Sequence, residues 1–141
     1  MNNEKTKVLF LCTGNSCRSI LAEAIVNHYG NNHYQAFSAG SFPTGKVHQK
    51  AIETLIRHGI LSGLLRSKSW DEFKSQPIDL VITVCNKAAK ENCPIFPDHP
   101  KKLHWSIPDP AKVTGSEQEI NATFEDVFQE LKLKIEKELL S

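Results

Sequence analysis

The chain has 141 residues, 40% of them hydrophobic, enough for one domain with a substantial buried core. Seventeen Lys and Arg against sixteen Asp and Glu leave a formal charge of +1 with no block of like charge, so neither a nucleic-acid arm nor a polybasic membrane anchor is indicated. The apolar run Val8 to Cys12 is too short for a membrane span or a secretory signal, which predicts a cytoplasmic protein; the length predicts a single domain over residues 1–141, and a monomer is expected.

Val8-Leu9-Phe10-Leu11 is a short continuous apolar run, the pattern of a strand buried on both faces of a parallel sheet. From Arg18 to Tyr29, Ile20, Leu21, Ala24, Ile25 and Tyr29 recur at helical spacing, and Gly30-Asn31-Asn32 supplies the stop. Tyr34 to Ser38 predicts a second strand, ended by Ala39-Gly40 and the Pro43-Thr44-Gly45 turn; Val47 to His58 predicts a helix with Ala51, Ile52, Leu55 and Ile56 on one face and Gly59 beyond it. Asp79 to Val84 is the strongest strand pattern in the chain, and Lys102 to Ser106 a weaker one. A closing helix is marked by the Ser116/Glu119 capping pair and by Ile120, Phe124, Val127, Phe128, Leu131, Ile135 and Leu139 at every third or fourth position.

Strands alternating with helices predict an α/β three-layer sandwich whose four-stranded parallel sheet has helices on both faces. In a 2-1-3-4 strand order, the ends of the first and third strands meet in the crevice where the winding reverses. Cys12, Cys85 and Asp109 then reach one place.

Four cysteines in a reducing compartment point to catalysis, metal binding or burial, not to a disulfide framework. Cys12 and Arg18 bracket Thr13-Gly14-Asn15-Ser16-Cys17 between the first strand and the first helix. Backbone N–H groups of such a loop, at the positive end of a helix, form an anion nest, and Arg18 adds a two-pronged fork for two oxygens. The same field favours the Cys12 thiolate, the nucleophilic form. Ser19 is placed to donate to that sulfur, Asn15 to brace the loop by bonding its own backbone, and Cys17 to point away from the ligand. A buried structural cysteine followed by a surface arginine is the plainer alternative, and the strand-loop-helix setting argues against it.

The run Val8 to Ser19 resembles the signature of the low-molecular-weight protein tyrosine phosphatase fold and, more closely, the thioredoxin-coupled arsenate reductases built on it. Cys85 to Cys93-Pro94, and His104-Trp105 followed by Asp109-Pro110-Ala111, fit the reductases too. The resemblance implies a flavodoxin-like sheet, Cys12 as nucleophile, Arg18 as oxyanion ligand and Asp109 as general acid. It also implies that Cys85 attacks Cys12 to release arsenite, that Cys93 then takes over the disulfide, and that thioredoxin reduces it, with no bound cofactor. The polar segment Asn86 to Asn92 would be a short helix that loosens during this exchange.

Alternatives stay open at several positions. Taken alone, Cys85 reads as a small residue closing a strand, Cys93 as a loop thiol, and Asp109 as a turn residue before Pro110. A zinc site built from the four cysteines and six histidines lacks the usual two-residue knuckle, so no metal is expected. A phosphatase hydrolysing phosphomonoesters is the rival activity, and an oxyanion sensor signalling by disulfide formation is a third, weaker one. Phosphatases of this fold usually carry tyrosines after the Asp-Pro, whereas Ala111 and Lys112 follow here, which favours a small inorganic substrate. Two departures from the family pattern are the seven residues between Cys85 and Cys93, one more than usual, and Ser106 in place of a glycine. His104 and Trp105 read as a strand end packing under the site, and the remaining histidines as surface or packing residues.

Overall fold

The computed structural model describes residues 5–60, 65–84 and 100–140; Cys85, Cys93, His99 and the helix expected over Asn86 to Asn92 lie outside them. Four parallel strands, β1 (Thr6–Cys12), β2 (Tyr34–Gly40), β3 (Leu80–Thr83) and β4 (Lys101–His104), form one sheet in the order β2-β1-β3-β4. This is the expected 2-1-3-4 order. Cys12 pairs with Gly40 at the end of the β1/β2 ladder, Leu11 with Thr83, and Thr83 with His104, so the carboxyl ends of all four strands share one edge.

β1 lies between two neighbours, and Val8, Leu9, Phe10 and Leu11 are fully buried, which explains why the run has no polar alternation. Val8 and Phe10 face a core built with α1 (Arg18–Tyr29), α2 (Gln49–Arg57) and α3 (Glu117–Ile135); Leu9 and Leu11 face Ala39, Phe73, Ile78 and Val81 on the other side. The first layer is the thicker one. α3 buries Phe124, Val127, Phe128, Leu131 and Ile135, each contributing about 1.5–3 kcal/mol as apolar burial. Its capping box is present: the Glu119 N–H donates to Ser116 Oγ at 3.1 Å, and Glu119 Oε1 accepts from the Ser116 N–H at 3.4 Å.

The second layer was not legible in the pattern: a 3₁₀ turn at Trp70–Phe73 covers that face with Phe73, its ring 5.5 Å from Phe37. Too few residues repeat there to show a period. The other differences lie at element ends. α2 starts at Gln49 because His48 caps it, its Nδ1 accepting from the Lys50 N–H at 3.1 Å. β4 stops at His104 because its partner β3 stops at Thr83; Trp105 still donates to the Thr83 carbonyl, then turns inward so that its ring lies 6.0 Å from Phe10. Leu139, expected on the α3 stripe, falls in a π-helical turn (Glu136–Leu140), where its carbonyl accepts from the Tyr34 hydroxyl at 2.8 Å.

Candidate active site

Cys12 is the last residue of β1 and Arg18 the first of α1, so the five residues between them must turn the chain from sheet to helix. A strap at residues 42–48 sets how they turn. The N–H groups of Phe42, Thr44 and His48 donate to the carbonyls of Thr13, Gly14 and Ser16 at 2.9, 3.0 and 2.9 Å, and Ser67 Oγ adds a second bond to the Gly14 carbonyl at 3.1 Å. Since a trans peptide carries its N–H opposite its C=O, drawing these carbonyls outward turns the following N–H groups inward. The Asn15 N–H accordingly donates to Cys12 Sγ at 3.2 Å. α1 also begins without a side-chain cap and with no acidic residue in its first turn, which leaves its positive end for an anion.

Cys12 Sγ lies 2.8 Å from Ser19 Oγ, the contact expected from Ser19's place at the helix start, and the cysteine is only 3% exposed. Asn15 differs from expectation. Its side chain does not fold back on its own backbone: Nδ2 donates to Ser19 Oγ at 2.8 Å and to Ser38 Oγ at 3.0 Å, while Oδ1 accepts from the Lys68 N–H at 2.8 Å. Asn15 is fully buried with φ of 48°, a left-handed conformation that Asn tolerates better than most residues. Ser38 donates in turn to Glu23, and Lys68 Nζ stands 3.8 Å from that carboxylate. Burial pushes the Glu23 carboxyl up and the Lys68 ammonium down from their ordinary values, as expected for a pair withdrawn from water. Gly40 completes the floor, since a Cβ there would meet the Thr13 carbonyl oxygen at 2.4 Å.

Across from the loop, the chain leaving β4 supplies Ser106 through Lys112. Arg18 Nη1 donates to the Ile107 carbonyl at 3.0 Å, and Nη2 pairs with Asp109 Oδ2 at 3.6 Å. The other Asp109 oxygen accepts from the Ala111 N–H at 3.0 Å, capping a 3₁₀ turn over Pro110–Lys112. Between the two walls lies a cleft of about 850 Å³, lined by Cys12, Thr13, Gly14, Ser16, Cys17 and Arg18 on one side and by Thr44, Ser106, Ile107, Pro108, Asp109, Ala111 and Lys112 on the other. That volume admits an inorganic oxyanion or a small ester, so size does not separate the two activities.

Cys12, Arg18, Asp109 and the Thr13–Cys17 loop thus meet in one cleft, with Ser19 behind the sulfur; Cys85 and Cys93 lie outside the described residues. Cys17 is 3% exposed among core residues, and burial pushes its thiol up to about 12. Of the strand-end pair only Trp105 packs under the site; His104 is exposed, its ring nitrogens 2.7 Å from Thr83 Oγ1 and 3.1 Å from Ser106 Oγ. Thr44, Lys112 and the Glu23–Ser38–Lys68 group were missed as site residues. Nothing in their local pattern marks them, because what selects them is contact across the fold. Among the described residues no group of three or more His, Cys, Asp or Glu is placed to hold a metal ion, and no helix is long and apolar enough to cross a membrane.

Fold and loop together define a class: an α/β protein whose cysteine stands at a strand's carboxyl end inside an anion-shaped loop. The chain belongs to the low molecular weight phosphotyrosine protein phosphatase family, whose model matches residues 7–140. A protein of Halalkalibacterium halodurans named arsenate reductase is 37% identical over 131 residues, 93% of each chain. Among solved structures, the low molecular weight protein tyrosine phosphatase from T. tengcongensis has a TM-score of 0.78 at 26% identity, covering 94% of this chain and 97% of that one. The Corynebacterium glutamicum thioredoxin-dependent arsenate reductase has a TM-score of 0.66 at 27% identity, covering 97% of this chain and 65% of the other.

Proposed function

We propose that this protein is a cytoplasmic arsenate reductase recycled by thioredoxin, acting as a single domain without a bound cofactor. The observation that carries the reading is the set of donors around Cys12 Sγ in a cleft shared with Arg18 and Asp109. It occurs in a chain 37% identical over 93% of its length to a protein named arsenate reductase. Donors at 2.8 and 3.2 Å from the sulfur stabilise negative charge there, and the inward N–H groups with Arg18 receive a tetrahedral oxyanion. Cys12 attacks arsenic, and Asp109 gives the departing oxygen its proton.

Reduction needs a second sulfur. Cys85 attacks Cys12 Sγ, the Cys12–Cys85 disulfide forms, and the electron pair of the broken sulfur–arsenic bond stays on arsenic, which leaves as arsenite. Cys93 then attacks Cys85, freeing Cys12 and leaving a Cys85–Cys93 disulfide for the dithiol of thioredoxin. Val84, whose N–H donates to the Leu11 carbonyl at 2.8 Å, brings the chain to the edge where Cys12 stands just before Cys85 in sequence, which supports Cys85 as the first thiol to attack Cys12.

Hydrolysis of a phosphomonoester is the second reading, favoured by the family and by the T. tengcongensis likeness. Against it, Ala111 and Lys112 stand at the rim where an aromatic ester would need a flat partner. NADPH oxidation with thioredoxin and its reductase, started by arsenate, separates the two for wild type and Cys85→Ser. Arsenate-dependent turnover that disappears in the variant is expected. Undiminished turnover in the variant would remove the relay, and fast aryl-phosphate hydrolysis without arsenate dependence would establish the phosphatase.

A further inference from the structure

Among the described residues, the charged side chains lining the cleft are Arg18, Asp109 and Lys112. Arg18 is already engaged by the Ile107 carbonyl at 3.0 Å and by Asp109 at 3.6 Å. With Cys12 as a thiolate and Asp109 holding the proton it is to donate, Arg18 and the sulfur cancel, and these three groups carry no net charge. Beyond the reach of the loop's N–H groups, those three groups give an incoming dianion no net attraction.

Lys112 supplies that attraction. It lines the cleft, is exposed, and makes no side-chain ion pair or hydrogen bond among the described residues. Its place at the rim is set by Asp109, whose carbonyl accepts from the Lys112 N–H at 3.3 Å and whose carboxylate caps the turn through Ala111. A strongly hydrated ammonium on a flexible stem, outside the loop and uncommitted, suits capture of an incoming anion better than fixed coordination of it.

We propose that Lys112 is the specificity-determining cation of this cleft, drawing free inorganic dianions to the loop and compensating the thiolate while they bind. The proposal rests on the arsenate reading only for the identity of the dianion. Its effect belongs to binding, so it enters KM and the affinity for inert oxyanions and leaves kcat nearly untouched.

The test measures inorganic phosphate and sulfate binding by calorimetry for wild type, Lys112→Arg, Lys112→Gln and Lys112→Glu, at low and high ionic strength. Arsenate kcat and KM are measured on the same proteins, and loss of thiols in a single turnover without thioredoxin separates anion capture from docking of the reductant. At low salt, Lys112→Gln is expected to weaken phosphate binding about threefold and Lys112→Glu about tenfold, Lys112→Arg to match wild type, and the differences to shrink near ~0.5 M salt. KM should follow the same ranking, with kcat held within about twofold. Phosphate affinities that are equal across the series at low salt would overturn the proposal, as would a fall in kcat at constant KM. If wild type fails to reduce arsenate while the phosphate ranking holds, the arsenate reading fails and the role of Lys112 stands.

Discussion

The two walls of the cleft are held in different ways. The loop wall, Cys12 to Arg18, is tied downward by Asn15 to Ser38 and Lys68 and outward by the strap at residues 42–48. The opposite wall, Ser106 to Lys112, is anchored by buried Ile107 and Pro110 and joined to the loop wall by Arg18. The sulfur proposed to attack is therefore preorganised by the body of the fold, while the proposed acid and the rim are set largely by a guanidinium that the proposed oxyanion would also need. Electrostatic preorganisation costs least on the side where no rearrangement is required. Adjustment is left to the side that admits the ligand.

Removing the group the two walls share is the harshest way to break that contrast. Arg18→Ala deletes the anion fork and the ties to Ile107 and Asp109 together. Phosphate or arsenate affinity should fall about a hundredfold or more, read by calorimetry, because bonds to a charged group are worth about 1.5–3 kcal/mol each. Cys12→Ser should abolish arsenate-dependent thiol loss while phosphate binding survives. Affinity unchanged in Arg18→Ala would contradict the assigned role of the guanidinium.

The next largest effects test the loop wall from beneath. Asn15→Ala removes three hydrogen bonds, leaves the Lys68 N–H without its acceptor, and puts a residue with no compensating side chain at φ of 48°. A loss of about 3 kcal/mol, read from denaturant midpoints, is expected. Lys68→Met leaves Glu23 buried without its cation and should cost about 3 kcal/mol at neutral pH. Burial already raises the Glu23 carboxyl, so the folded state takes up that proton more readily than the unfolded chain, and stability is lost as pH rises through the folded value. The Lys68→Met defect should therefore shrink as pH is lowered. A defect independent of pH would mean that Glu23 is not the group left uncompensated.

These two residues also mark where sequence reading ran out. β1, α1 and α3 were legible because their apolar periods are long or continuous, and the parallel sheet followed from the alternation of strands and helices, while its 2-1-3-4 order was assumed with the flavodoxin-like resemblance. Cys12, Arg18 and Ser19 were legible because strand, loop and helix are contiguous. Two of the three partners of the Asn15 side chain lie 23 and 53 residues away, and Lys68 between Ser67 and Ser69 looks like any surface lysine until the fold buries it. Side-chain bonds over such separations leave no local trace, so Asn15 was read as bracing its own loop. Element ends moved for the same reason: β4 ends where β3 does, and α2 begins where the His48 ring can cap it.

The smallest effect compares the two sulfurs of the loop wall. Cys12 and Cys17 are equally buried at 3% exposure, yet Cys12 Sγ meets an N–H donor at 3.2 Å and a hydroxyl at 2.8 Å, whereas Cys17 Sγ meets the Ser16 hydroxyl at 3.7 Å. Burial raises the Cys17 thiol from 9.0 to about 12, so at neutral pH it stays protonated and unreactive. In Cys12→Ser, iodoacetamide at mildly alkaline pH should leave Cys17 unmodified, as read by mass spectrometry of its peptide. Unfolded, the same thiol ionises near 9.0; between that value and about 12 the folded chain keeps a proton that the unfolded chain has released, and stability falls as pH rises. Cys17→Ala should therefore keep arsenate turnover within about twofold and flatten the alkaline loss of stability relative to wild type. Rapid alkylation of Cys17 would show that the field of the loop reaches both sulfurs, and that the donors on Cys12 are not what distinguishes them.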